Sequence, residues 1–133
     1  MKILVIGKGG REHALAYACK RSALCDELIC APGNPGMAKI GECVDVKDND
    51  VDGLVALAKE RKVDLTIVGP EATLALGVVD AFKKEGLKIF GPDKKATQVE
   101  SSKDFAKNIM AKYKIPTAAY KTFHDLDSAW TYV

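Results

Sequence analysis

Histidine is almost missing from this chain. There are two, His13 and His124, far apart in the sequence, and the four cysteines (Cys19, Cys25, Cys30 and Cys43) form no C-x-x-C pair. A zinc-type ligand set is therefore not expected, and the cysteines read as reduced thiols of an intracellular protein. Long apolar runs are also absent, since nothing approaches the ~20 residues that cross a bilayer. The opening "MKILVIG" is too short for a secretory signal and runs straight into a glycine turn. A cytoplasmic location is expected. Charge of one sign is lacking too. Twenty Lys and Arg face 18 Asp and Glu, the net charge is +2, and the lysines form no dense stripe. Neither nucleic acid nor a membrane surface is expected as a partner; small molecules are.

What remains is an ordinary globular composition, 47% hydrophobic and 29% charged over 133 residues. Apolar runs alternate with helical patterns. "KILVI" (2–6) reads as a strand, followed by a helix from Arg11 to Arg21 with Ala14, Leu15, Ala18 and Cys19 on one face. "ELICA" (27–31) is a second strand ended by "PGNPG", and "CVDV" (43–46) a third. A helix over "VDGLVALAKERK" turns Leu54, Leu57 and Ala58 inward. "DLTIV" (64–68) is a fourth strand, Ala72 to Glu85 a further helix, and "LKIF" (87–90) a fifth strand. Strands joined by helices of this length imply right-handed crossovers. The expected fold is α/β: a Rossmann-like parallel sheet over residues 1–92, helices on both faces, in the strand order 3-2-1-4-5.

After Pro92 the pattern changes. Residues 93–117 read as a lysine-rich helical linker with Phe105, Ile109, Met110 and Tyr113 on an apolar stripe, and Ser101 with Asp104 suggests a capping box. "PTAAYKTF" is expected to be extended. Residues 118–133 read as the start of a domain that the chain does not finish, so the sequence is expected to be the first part of something longer.

The chemistry gathers at "VIGKGGREHAL" (5–15). Three glycines between a strand and a helix let backbone amides approach an oxyanion. A plain βα turn is the bland alternative, though it seldom needs three glycines. A dinucleotide fits poorly: G-x-G-x-x-G would need glycine at position 12, where Glu12 stands. The second strand also ends in Ala31-Pro32-Gly33, without the acidic residue that holds a ribose hydroxyl; Asp26 and Glu27 stand at its opposite end. In the expected strand order, the first and fourth strands are neighbours. "GKGGRE" and "GPEA" should then face one another across the crevice where such sheets bind ligands. Two carboxylates there, Glu12 and Glu71, would repel a phosphate but accept hydrogen bonds from vicinal hydroxyls. Phosphate plus diol means a ribose phosphate. Glu71 reads alternatively as a helix-start carboxylate, Arg11 as either a surface cation or a phosphate contact, and His13 as first-turn packing.

"GKGGREHAL" (7–15), "APGNPG" (31–36), "VGPEATLALGVVD" (68–80) and "KIFGP" (88–92), with "ESSKDFAK" and "KIPTA" beyond, resemble the phosphoribosylamine–glycine ligases, an ATP-grasp family of purine biosynthesis. The resemblance runs essentially from Met1 to Val133. It implies a pre-ATP-grasp domain followed by the start of an ATP-grasp region, and an ATP-dependent ligase as the complete protein. It also implies that Gly9, Gly10 and Glu12 approach the phosphoribosyl substrate, that Glu71 meets the ribose hydroxyls, and that Lys103 of "ESSK" reaches ATP. ATP and Mg²⁺ (or Mn²⁺) would be held mainly by domains that follow, as would glycine, so no catalytic residue is expected here and this stretch alone is expected to be inactive. Three positions depart from the family pattern. Lys8 replaces a small polar residue and could touch phosphate or point to solvent. Thr73 replaces a common proline, which should loosen its helix start. Ser101 replaces a glycine that would permit close backbone approach. The alternatives are the first domain of a carboxylase- or formyltransferase-type ATP-grasp relative, which should lack the "GGREHAL" and "APGNPG" pair, or a free-standing nucleotide-binding module.

Overall fold

The computed structural model describes residues 1–132. They form two compact units, Met1–Thr97 and Gln98–Val133. In the first, strand β1 (Lys2–Gly7) is the centre of a five-stranded parallel sheet with β2 (Glu27–Pro32), β3 (Glu42–Cys43), β4 (Leu65–Val68) and β5 (Ile89–Phe90), in the order β3-β2-β1-β4-β5. Lys2 pairs with Glu27 on one side of β1, and Ile3 with Leu65 on the other. The expected parallel sheet and strand order are both observed.

A strand bordered on both sides and covered on both faces reads as continuous apolar sequence, and β1 does. Leu4 and Ile6 point to one face, where they pack with Ile29, Ala31 and Val68 against helices α2 (Val51–Glu60) and α4 (Val78–Lys84). Ile3 and Val5 point to the other, against α1 (Gly10–Lys20) and the 3-10 turn Met37–Lys39. Each such side chain contributes about 1.5–3 kcal/mol when fully buried. Leu54, Leu57 and Ala58 of α2 are buried as their spacing predicts.

Three local expectations differ. The third strand is Glu42–Cys43 rather than 43–46. Val44 N–H still reaches Cys30 O (2.9 Å), but Val46 N–H turns back to Val44 O (2.7 Å) and takes the chain out of the sheet. The helix expected from Ala72 to Glu85 is two: α3 (Glu71–Ala75) and α4, broken at Gly77, whose φ of +91° no helix contains. Thr73 is buried within α3. The inward face of α1 carries Glu12, Leu15, Ala16 and Cys19, while Ala14 and Ala18 are exposed. Alanine is too small to signal which side of a helix it occupies.

Helix α5 (Lys94–Ser101) spans the division between the units. In the second unit, α6 (Lys103–Lys112) is capped by Ser102, not Ser101: Ser102 Oγ accepts from Phe105 N–H at 3.2 Å. Ser102 is the residue with extended backbone, so its side chain is the one that can reach the free amides. Asp104 does not complete a box, because its carboxylate accepts from Thr122 Oγ (2.6 Å) and Asn108 Nδ2 (3.1 Å). The "PTAAYKTF" segment joins no sheet. Lys107 Nζ donates to Thr117 Oγ1 (2.6 Å) and Ala118 O (2.9 Å), and Tyr120 OH donates to Asn108 (3.1 Å). Asp125 caps α7 (Leu126–Tyr132) through Ser128 N–H at 2.8 Å. Among the described residues of this unit none is buried, and Phe105, Ile109 and Met110 are half-buried while Tyr113 is exposed.

Candidate ligand crevice

Parallel strands all end on one side, so the loops after β1, β2 and β4 converge there. The loop after β1 runs through Lys8 and Gly9 into α1. Gly9 N–H is not free for a ligand: it donates to Glu12 Oε2 at 2.8 Å, closing the first turn of the helix. The amides of Gly10 and Arg11 have no acceptor among the described residues, as expected of the first N–H groups of a helix. A Cβ placed on Gly10 would meet nothing within 4 Å. The side of the loop where a Gly10 side chain would stand is therefore open, beside two amides without an acceptor among the described residues.

Glu12 is turned inward. Its side chain is only 5% exposed. A Cβ on Gly7 would lie 2.5 Å from Glu12 Cγ and 2.9 Å from Pro70 Cγ, and one on Gly69 would run into the Glu12 carboxylate itself. Gly7 and Gly69 are thus required by the close approach of Glu12, which fills the seam between the loops after β1 and β4. Glu12 Oε1 accepts from Arg11 Nε at 2.9 Å, and Arg11 Nη2 donates to Glu71 Oε2 at 3.0 Å. The two loops expected to face one another are joined by a carboxylate–guanidinium–carboxylate bridge. Glu12 is thus almost fully buried, whereas Glu71, at the start of α3, is half exposed.

The electrostatics follow. Glu71 lies below the usual carboxylate range, first because its own backbone N–H supports the charge and then because of Arg11. The Arg11 guanidinium is held further toward its charged form by Glu12 and Glu71. Arg11 is neither a free surface cation nor bound only to its own helix.

The turn after β2 supplies the third wall. Asn34 Nδ2 donates to Lys8 O (2.9 Å), and Asn34 Oδ1 accepts from Gly36 N–H (2.9 Å) and Met37 N–H (3.0 Å). Gly33 N–H also reaches Gly7 O at 3.2 Å. Asn34 thus ties the "PGNPG" turn to the glycine loop. Sequence reasoning quoted the turn without singling it out, although an Asn before Pro-Gly is a known turn-forming signal. His13 packs against Gly36, and with Gly10, Ala14 and Tyr17 it lines an open hollow of about 430 Å³. Lys8 is exposed. Lys103 is the exposed first residue of α6 in the other unit. Among the described residues no group of three His, Cys, Asp or Glu side chains could hold a metal ion.

Residues 1–100 match the family model described as phosphoribosylglycinamide synthetase, N domain. The chain is 54% identical over 135 aligned residues to a phosphoribosylamine–glycine ligase of Xanthomonas campestris, covering 100% of this chain and 31% of that protein. It is similar to the crystal structure of the phosphoribosylamine–glycine ligase of Thermotoga maritima, at 25% identity and a TM-score of 0.64 over 91% of this chain and 27% of that one. The fold is also that of glycinamide-RNase-transformylase T from Mycobacterium tuberculosis, at 19% identity and a TM-score of 0.76 over 98% of this chain and 38% of that one. The chain spans about a third of the length of the curated relatives it matches. On the family model and the full-length match to its relatives, the chain belongs to the phosphoribosylglycinamide synthetase N-domain family.

Proposed function

We propose that this chain is the phosphoribosyl-holding N-terminal part of an ATP-dependent ligase that joins glycine to 5-phosphoribosylamine. ATP phosphorylates the glycine carboxylate. The 1-amino group of phosphoribosylamine then attacks the glycyl phosphate carbonyl, and phosphate leaves. The products are glycinamide ribonucleotide, ADP and phosphate. The observation that carries the reading is the convergence of an open glycine loop and an exposed carboxylate, Glu71, across one crevice.

In this scheme the amides at Gly10 and Arg11, with the positive end of α1 behind them, receive the 5-phosphate. Gly9 serves by its backbone path and Glu12 by fixing that path, while Glu71 accepts from the ribose hydroxyls. Lys103 contributes to ATP from the start of α6. A divalent cation neutralises phosphate charge in phosphoryl transfer of this kind. Its ligands, most ATP contacts and the glycine site belong to the rest of a longer protein. Residues 1–92 act as the substrate domain, 93–117 as a linker and 118–133 as the beginning of the ATP-grasp region, in a cytoplasmic enzyme.

The test is an NMR titration of the ¹⁵N-labelled chain with glycinamide ribonucleotide, with NAD in parallel. Shifts centred on Gly9, Gly10, Arg11 and Glu71, with none from NAD, are expected. Movement of the loop by NAD alone would overturn the reading.

A further inference from the structure

The Arg11 side chain is left without a task by the scheme above, yet among the described residues it alone hydrogen-bonds both acidic side chains of the crevice. Its root is immobile, because Nε is bonded to Glu12, which is itself almost fully buried and clasped by Gly9 N–H between Gly7 and Gly69. Its far end holds one oxygen of Glu71, Oε2, at 3.0 Å. An exposed glutamate left to itself samples many rotamers, and ordering one costs conformational entropy. An exposed ion pair alone would also be weak. Here the guanidinium is a rigid fork anchored on a fixed carboxylate, a role lysine cannot copy with one ammonium. No side chain other than Arg11 hydrogen-bonds Glu71 among the described residues, and its carboxylate is otherwise supported by its own backbone N–H.

Taking the ribose-phosphate reading of the crevice as its basis, we infer that Arg11 is a specificity-determining positioning residue. It fixes Glu71 so that the carboxylate meets both vicinal hydroxyls of the sugar, and so makes the site tell ribose from deoxyribose. A sugar lacking the 2-hydroxyl leaves one acceptor of a held carboxylate unmatched, and a site built around a hydroxyl rejects analogues without it. If Glu71 were free to swing, it would find water instead and the penalty would vanish. Arg11 acting directly on phosphate has a different signature, because both sugars carry the same phosphate.

The experiment measures the affinities of the chain for ribose 5-phosphate and 2-deoxyribose 5-phosphate by NMR titration. It compares the wild type with Arg11→Lys, Arg11→Met and Glu71→Gln, each checked for an unchanged amide spectrum away from the crevice. The wild type should prefer the ribose compound by about tenfold, equivalent to about 1.4 kcal/mol. All three variants should bring that ratio near one, and Arg11→Lys should bind the deoxy compound as the wild type does. A carbon-detected titration should also show Glu71 protonating at higher pH in Arg11→Met, since Arg11 is part of what holds it low. An unchanged ratio in the Arg11 variants overturns the inference. So does an equal loss of both sugars, which makes Arg11 a phosphate ligand. A wild type that binds both sugars equally refutes the role of Glu71 beneath it, separately from the loop shifts read with glycinamide ribonucleotide.

Discussion

Replacing Thr66 with valine should stabilise the protein, because the threonine hydroxyl is buried without a hydrogen-bond partner among the described residues. Thr66 lies in the middle of β4, paired in register with Leu4 on one side and Ile89 on the other. It alternates with Ile67 and so shares the sheet face of Val68, in the larger apolar cluster with Leu54, Val79 and Phe82. Leaving a buried polar group unsatisfied costs about 1–3 kcal/mol, and the incoming methyl contributes about 0.8 kcal/mol of burial. Valine has the same branched shape and suits a strand at least as well. Some of this gain is lost if the larger methyl crowds its neighbours. The net expectation is about 1–2 kcal/mol of added stability. For a unit of this size each kcal/mol raises the melting temperature by roughly 4–8 °C. Urea denaturation followed by circular dichroism gives the free energy directly. Thr66→Ser serves as the control: it keeps the hydroxyl, loses the methyl and should destabilise by about 1 kcal/mol. If Thr66→Val proves neutral or destabilising while Thr66→Ser behaves as expected, the hydroxyl has a partner in solution and the reasoning fails.

Gly69→Ala and Gly10→Ala should separate architecture from binding. The first drives a methyl into the Glu12 carboxylate and should cost about 1–3 kcal/mol in urea denaturation. The second enters open space and should leave stability within about 0.5 kcal/mol, yet weaken glycinamide ribonucleotide binding in the same titration. Alkylation followed by mass spectrometry should modify the exposed Cys43 well before Cys30, which is buried and whose thiol is pushed up to about 12 by desolvation and by neighbouring Cys43. Because the folded thiol keeps its proton longer than the unfolded one, its contribution to stability is complete below about pH 8.5 and is lost as pH climbs towards 12. Ser102→Ala should remove about 1 kcal/mol of capping and speed hydrogen exchange in the first turns of α6, whereas Ser101→Ala should not.

Much of the fold is legible in the sequence because its strongest signals are collective. Five apolar runs spaced by helical patterns restrict the topology to very few choices, and the facing of "GKGGRE" and "GPEA" follows once β1 and β4 are neighbours. Single residues are harder. Gly77 inside a helical pattern carries no mark separating a tolerated glycine from one with positive φ. Two adjacent serines offer the same cap, and only the backbone turn at Ser102 chooses between them. Glu12 reads as a substrate-facing acid because charged residues are seldom buried. What hides its burial is the absence of side chains at Gly7 and Gly69, which makes room for it. Asn34 carries a turn signal, but its tie to the glycine loop is hidden for a related reason, since its partner Lys8 O is a backbone atom with no sequence signature.

The central place of β1 sets an order of events during synthesis. Its partner β2 ends at Pro32, but the strand that closes its other edge ends at Val68. At about 5–20 residues per second, the roughly 36 residues between them take some 2–7 s to emerge. For that interval the apolar Ile3–Ile6 edge is an unpaired template open to other chains. Gly69 follows β4 immediately, so the seam that Glu12 fills is completed in the same step that covers this edge. A chain caught with that edge bare is also one in which Arg11 and Glu71 have not met, so the bridge between them marks a chain already past this vulnerable stage.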